Sequence, residues 1–155
     1  MAKYFIDTDS KKINFKKVFR AVYKTLNQSA RLKAEVVLVS QQEIQTLNRE
    51  NRNVDKVTDV LSFPSLDGIV GKVLRAEDYP NEIDGKYLFI GSIVLCEDKI
   101  EEQAKEYMHS KEDEMTYLTV HGLMHLFGYD HMTDEDKKLM REKEKSALKL
   151  LGKGE

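Results

Sequence analysis

The chain lacks the residues and runs that would place it outside the cell or in a membrane. Its 155 residues contain one cysteine, Cys96, so no disulfide can form within the chain. This absence favours a reducing compartment. No stretch approaches the roughly 20 apolar residues of a membrane span, and residues 1–10 lack the apolar run of a signal peptide. The sequence therefore predicts a cytoplasmic protein that does not enter a membrane.

Proline is also scarce, with two residues, and the sequence contains no internal repeat or low-complexity tract. A length of 155 residues fits one domain, since domains usually hold about 100–200 residues. A chain of this size buries roughly 70% of its unfolded surface and needs no covalent staple. We therefore expect a single domain over residues 1–155.

The net charge of −2 hides an uneven distribution. Residues 1–56 carry 12 Lys and Arg against 6 Asp and Glu, whereas residues 57–155 carry 13 against 21. Lys16, Arg20 and Lys24 are four apart, so in a helix they share one outer face. Such a basic face either attracts a phosphate backbone or is an ordinary solvated surface, and charge alone favours the second interpretation.

Hydrophobic spacing predicts an α+β fold with a mixed sheet packed against helices. Ser40 with Glu43, and Thr133 with Asp136, have the pattern of helix N-terminal caps. The polar segment 65–86 is expected to be a long mobile surface loop or a small excursion, and Gly91 is expected at a β-bulge. The predicted strands are 3–7, 34–40, 60–63 and 87–96, and the predicted helices are 15–27, 40–49, 97–108, 112–127 and 133–151.

The strongest chemical signal is the segment HGLMHLFGYDH, which contains three of the four histidines. His121 and His125 are one helical turn apart, so their imidazoles leave the same face. Gly128 suits the end of that helix, after which the chain can turn and bring back His131. Three protein ligands leave a fourth position open, as in a catalytic zinc site. The segment therefore predicts a zincin-like helix and one metal ion held by three imidazole nitrogens, which suit Zn²⁺ or another transition metal.

This segment is close to the metzincin protease motif H-E-x-x-H-x-x-G-x-x-H, but Gly122 stands where the protease has its general base. A peptidase without that carboxylate lacks the group that activates water. His109 lies outside the pattern and is interpreted as an exposed residue at a helix end. Asp130 is either a group that orients a histidine or a solvated turn residue.

A second cluster, LNRENRNVDKVTDVLSFP, covers residues 47–64. It predicts a helix end, a polar loop and a strand, with Arg52 and Lys56 in the loop. An arginine there could hold a phosphate through paired N–H donors, although an exposed loop cation is the simpler interpretation of this segment by itself.

The two segments together strongly resemble the YbeY family, the metal-dependent bacterial endoribonucleases of rRNA maturation. The resemblance implies that His121, His125 and His131 bind zinc and that Arg52 is the functional arginine beside the metal. It further implies cleavage of single-stranded RNA during 16S rRNA 3′-end maturation and ribosome quality control, with the small ribosomal subunit as partner. Either water or the RNA 2′-hydroxyl would be the nucleophile. The family positions of the second cluster that would shape the cleft are Thr58, Asp59, Ser62 and Phe63, the last being better suited to the core.

One position departs from the family pattern, because Ser92 stands where the family usually has aspartate. The lost acid is either a structural change or a weakened contact near the cleft. Two other functions fit the same residues: a zincin-type peptidase or amidase, and a non-catalytic ribosome-assembly factor that uses the metal for structure.

Overall fold

The centre of the fold is a mixed β-sheet, and the fold class is α+β as the sequence predicts. A computed structural model of the chain describes residues 3–153. Within them the sheet has the strand order β1-β2-β5-β3, with a short strand β4 that also pairs with β5. The strands are β1 (Tyr4–Asp7), β2 (Leu32–Val39), β3 (Val60–Pro64), β4 (Ile83–Asp84) and β5 (Tyr87–Cys96).

The first three neighbours in the sheet, β1, β2 and β5, run parallel, whereas β3 and β4 pair antiparallel with β5. The register between β2 and β5 shifts by one residue between Phe89 and Gly91, which confirms the predicted bulge. Gly91 has a φ of +140°, and a Cβ there would collide with the carbonyl oxygen of Phe63. The close approach of β3 to β5 therefore requires glycine at this position.

Five α-helices surround the sheet, and their N-termini carry the caps that the sequence predicts. Ser40 and Glu43 form a reciprocal capping box, and the Thr133 side chain accepts a hydrogen bond from the Asp136 backbone. The described residues contain no helix with the length and apolar character needed to cross a bilayer. The helices are α1 (Phe15–Thr25), α2 (Gln41–Arg52), α3 (Glu97–Glu106), α4 (Lys111–Leu126) and α5 (Asp134–Leu150).

Alternate residues of each strand point to opposite sides of the sheet. The two faces contact hydrophobic clusters of different size. On one face, Ile90 and Ile93 of β5 belong to the main core, which α1, α4 and α5 also form. On the other face, Val94 and Cys96 join a smaller cluster with Ile44 of α2. The first two histidines of the motif, His121 and His125, lie on α4 and so belong to the side of the main core.

The segment 65–86 is a packed excursion and not a mobile surface loop. Leu66, Ile69 and Leu74 are buried in the main core, because this segment folds back over the ends of α1 and α4. The Gln28 side chain donates a hydrogen bond to the Lys72 carbonyl and accepts one from the Leu74 backbone, both at 2.9 Å. The sequence left a mobile loop and a small excursion open for this segment, and the structure has the excursion, because three spaced apolar residues anchor it.

Candidate metal centre

Three histidines converge at the C-terminal end of α4. His121 and His125 lie one turn apart on the helix, which ends at Leu126, and the chain then reverses through Gly128, whose φ is +96°. His131 follows in the bend before α5. One nitrogen from each ring lies within 4.8 Å of the others, so the group could hold a metal ion. The structure brings together the three predicted ligands, and their role as ligands stays a prediction.

The hydrogen bonds of the helical histidines fix which ring nitrogens face each other. The Nδ1 atom of His125 is 3.0 Å from the carbonyl oxygen of Tyr129, and since a carbonyl only accepts, this nitrogen carries the proton. The Nδ1 atom of His121 is 2.6 Å from a carboxylate oxygen of Glu144 and donates to it in the same way. The two Nε2 atoms therefore keep their lone pairs, and they lie 3.2 Å apart.

This arrangement fits a tetrahedral zinc ion. Zn–N bonds of ~2.0–2.1 Å put two ligand nitrogens about 3.3–3.4 Å apart in a tetrahedron, close to the 3.2 Å between the Nε2 atoms of His121 and His125. Two facing lone pairs repel each other unless a proton or a cation lies between them. Burial, with the neighbouring charge that His121 and His131 would carry, lowers the pKa of His125 to about 4, so a proton is not held there at neutral pH and a neutral imidazole is ready to bind a metal.

Glu144 is the residue of this centre that sequence reasoning missed. It lies on α5 and is buried, with its side chain 6% exposed. A carboxylate that accepts from Nδ1 fixes the orientation and the tautomer of a metal-binding histidine. The sequence does contain a signal for it: Glu144 lies between Met140 and Ala147, the other buried residues of α5. A carboxylate in such a buried helical stripe needs a hydrogen-bonding partner.

Asp130, by contrast, does not contact a histidine within the described residues. Its side chain accepts a hydrogen bond from the backbone of Met132 at 3.2 Å, so it stabilises the turn that contains His131. His109 is an exposed residue between α3 and α4, as predicted, and lies 3.5 Å from the Glu114 carboxylate.

Gly122 packs directly against the sheet. A Cβ at this position would lie 3.0–3.2 Å from three side-chain atoms of Ile93, which is fully buried. The motif position at which a metzincin has its glutamate therefore faces β5 here and has no room for a carboxylate. This packing gives a structural reason for the departure from the protease motif.

Ser92, the other departure, lies next to Ile93 and so points to the opposite face of the sheet from α4. Its hydroxyl donates a hydrogen bond to the Glu35 carboxylate at 2.8 Å. An aspartate at position 92 would place two carboxylates together, so serine suits the glutamate of this chain and leaves the metal centre untouched.

The second sequence cluster approaches the helix of the histidine motif, α4, through β3. The hydroxyl of Ser62 lies 3.5 Å from the carbonyl oxygen of Gly122. Tyr117, one turn before His121, stacks on that histidine with ring centroids 6.1 Å apart. Burial, followed by the negative charge of Glu144, raises the pKa of Tyr117 to about 12, and Asp59 contributes to the same rise. Phe63 packs against the smaller core cluster, as predicted for a residue better suited to the core than to the cleft.

Arg52 is the last residue of α2, which extends three residues beyond the predicted end at Arg49. It is exposed, and it has no ion-pair partner among residues 3–153. Arg49 on the same helix differs, because it lies 3.5 Å from Asp55. No contact joins Arg52 to the histidines within the described residues, and its catalytic role stays a prediction.

Comparisons with known proteins give a consistent relationship. The family model described as Endoribonuclease YbeY matches residues 2–152. A relative named Endoribonuclease YbeY from Clostridium acetobutylicum is 50% identical over 118 residues, covering 73% of this chain and 71% of the relative. Another with that name from Lachnospira eligens is 44% identical over 126 residues, covering 76% and 74%.

A solved structure agrees with these relatives. The solution structure of TM1509 from Thermotoga maritima matches with a TM-score of 0.59 and 28% identity, covering 98% of this chain and 90% of that chain. The family match spans both the histidine motif and the cluster around Arg52. The chain therefore belongs to the endoribonuclease YbeY family.

Proposed function

We propose that this protein is a metal-dependent endoribonuclease that cleaves single-stranded RNA. The observation that carries the proposal is the convergence of His121, His125 and His131, with the Nε2 lone pairs of the two helical histidines 3.2 Å apart. Membership of a family whose members are named endoribonucleases supports RNA as the substrate class.

Each residue of the site has a distinct proposed role in the reaction. The three histidines hold the ion, while Glu144 and the Tyr129 carbonyl keep two of the rings in orientation. When bound, a zinc ion supplies Lewis-acid polarisation of a phosphoryl oxygen and a water of pKa roughly 7. The unpaired guanidinium of Arg52 binds the scissile phosphate and stabilises its growing negative charge.

We further propose which metal the histidines hold and which RNA the enzyme cleaves. Zinc is the proposed ion because three imidazoles and one open position suit it. The proposed substrate is the 3′ end of 16S rRNA, on or near the small ribosomal subunit, with a further role in ribosome quality control. The proposed compartment is the cytoplasm, because the one cysteine is unpaired and buried.

A peptidase or amidase is the less favourable alternative. The general base of that chemistry would stand at position 122, where the backbone packs against Ile93. A purely structural metal is also less favourable, since three protein ligands leave a coordination position for solvent or substrate.

The test compares the intact protein with His125→Ala and Arg52→Ala on a labelled single-stranded RNA and on the matching duplex. We expect His125→Ala to lose the metal in elemental analysis and to lose cleavage, as His121→Ala should. Arg52→Ala should keep the metal and the fold but cleave at least about 100-fold more slowly, because one donor that stabilises transition-state charge is worth about 10²–10³ in rate.

Arg49→Ala is the matched control, since Arg49 lies one turn earlier and is paired with Asp55. It should cleave at close to the unchanged rate. Full zinc content in both histidine variants would contradict the metal assignment, and unchanged cleavage by Arg52→Ala would exclude that residue. A substrate with a single 2′-deoxy nucleotide at the cleaved position distinguishes the two nucleophiles, since only the 2′-hydroxyl mechanism stops there.

A further inference from the structure

A groove of about 540 Å³ begins one helical turn from the histidine centre. It lies between the first half of α4, the turn that joins α3 to α4, and the end of α5. Its lining includes the aromatic rings of Tyr107 and Tyr117, the thioether of Met108, and Leu148. Its walls are therefore mainly flat or soft apolar groups.

These groups are unusually open to solvent. Tyr107 is 56% exposed, Met108 is 92% exposed and Tyr117 is 40% exposed. Large apolar side chains that are exposed together mark an interaction surface more often than a packing defect. Aromatic faces on a protein that acts on single-stranded RNA provide stacking surfaces for unpaired bases.

Tyr117 connects this groove to the candidate metal centre. One side of its ring stacks on His121, with a centroid distance of 6.1 Å and an interplanar angle of 27°, and the residue also lines the groove. A strand whose phosphate lies at the histidines thus has its neighbouring nucleotide within reach of the groove. Tyr117 is therefore the residue that the two sites share.

The polar groups of the groove select bases and not phosphates. The Glu114 carboxylate has a side chain only 8% exposed and lies 3.5 Å from His109. The Asp113 carboxylate lies 2.7 Å from the Lys153 ammonium, which neutralises the one lysine of the lining. The Glu114 carboxylate is then the charged acceptor that remains in the groove, and it repels a phosphate group but can accept a hydrogen bond from the exocyclic amino group of a base.

We propose that this groove binds one unpaired base of the RNA strand, adjacent to the cleaved bond, by stacking on Tyr117. The base carries an exocyclic amino group (adenine, guanine or cytosine) that donates to Glu114. Uracil is disfavoured because it has no such group and its one ring N–H lies between two carbonyl oxygens that a carboxylate repels. This inference rests on the proposed function, since it names a specificity site for the same reaction.

The test measures KM and kcat for short single-stranded RNAs in which one abasic position is moved along the strand. For the intact, metal-loaded protein, an abasic site at one fixed distance from the cleaved bond should raise KM on the order of tenfold, because one base–aromatic stack is lost. Tyr117→Leu should raise KM by a similar factor on intact RNA and should be insensitive to that abasic position. Tyr117→Phe, which keeps the ring, should retain the sensitivity to that abasic position.

Two further measurements separate base binding from damage to the metal centre. Elemental analysis should give equal metal content in Tyr117→Leu and the intact protein. Uracil at the sensitive position should raise KM for the intact protein, and Glu114→Gln, whose amide can donate to uracil, should reduce that preference.

Abasic positions that affect the intact protein and Tyr117→Leu equally would overturn the inference while leaving the proposed nuclease intact. If the intact protein cleaves no RNA under any of these conditions, both the groove and the proposed function are wrong. A loss of metal in Tyr117→Leu that Tyr117→Phe restores would overturn the inference, because the ring would then support the metal centre and not a base.

Discussion

At the scale of single residues, the most informative side chain is Glu144. It is a carboxylate in the buried stripe of α5, and its partner is the Nδ1 of His121 at 2.6 Å. A buried carboxylate is retained when a hydrogen bond compensates its desolvation. We infer that Glu144 is a positioning residue, which acts on the metal through His121.

Glu144→Gln is predicted to weaken zinc binding by about 10- to 100-fold, the usual effect of losing a group that orients a metal-binding histidine. The glutamine keeps the shape of the side chain but loses the charge that favours the Nδ1–H tautomer. Competition with a chelator of known affinity measures the change.

The control is Glu142→Gln, because Glu142 lies on the same helix and is exposed. Its zinc affinity should stay unchanged. Equal affinity in Glu144→Gln and the intact protein would show that His121 is oriented by packing alone.

At the scale of elements, the contact between α4 and β5 decides which chemistry the histidine motif can support. The helix approaches the strand at a glycine, and the neighbouring residue, His121, faces the other way into the metal centre. A helix that lay farther from the sheet would admit the glutamate of a protease at the same position. The spacing of two elements therefore separates this site from the motif that it resembles.

Gly122→Glu is predicted to destabilise the fold by at least about 3 kcal/mol, because it overpacks the core and buries a carboxylate without a partner. It should confer no peptidase activity. Urea unfolding and a peptide-library assay check the two parts, with the exposed Ser146→Glu on α5 as the matched control. A stable, folded Gly122→Glu protein would mean that α4 can move away from Ile93.

Patterns among residues close together in sequence predicted where most helices and strands lie, but not where all of them end. The caps at Ser40 and Thr133 were readable because their hydrogen bonds join residues three apart in sequence. The end of α2 was not, since Arg52 continues a polar helix whose stop is Asn53 in the left-handed conformation. Glu144 was missed for a different reason: its partner lies 23 residues away on another helix.

At the scale of the whole molecule, the excursion over residues 65–86 ties the metal centre to the rest of the core. Its backbone at Val70 approaches Gly128 so closely that a Cβ on the glycine would lie 3.0 Å from the Val70 nitrogen. Gln28, just after the end of α1, forms hydrogen bonds with the Lys72 carbonyl and the Leu74 backbone N–H of the excursion. The turn before His131 is therefore enclosed by a segment that comes from a distant part of the sequence.

Gln28→Ala is predicted to reduce the free energy of unfolding by about 2 kcal/mol, since it leaves a backbone donor and a backbone acceptor without their partner. Hydrogen exchange in the excursion should rise more than exchange in β5. Thermal or urea unfolding and exchange mass spectrometry measure the two effects, with the exposed Gln42→Ala as control. Uniformly increased exchange across the chain would indicate global destabilisation and no special anchoring of the excursion.

The carboxylate that orients His121 belongs to the last helix, and this order matters during synthesis. A growing chain emerges from its N-terminus onward, so all three imidazoles leave the ribosome before Glu144 does. A chain that stops before Glu144 leaves the Nδ1 atom of His121 without this acceptor, and we expect it to bind zinc more weakly than the full chain.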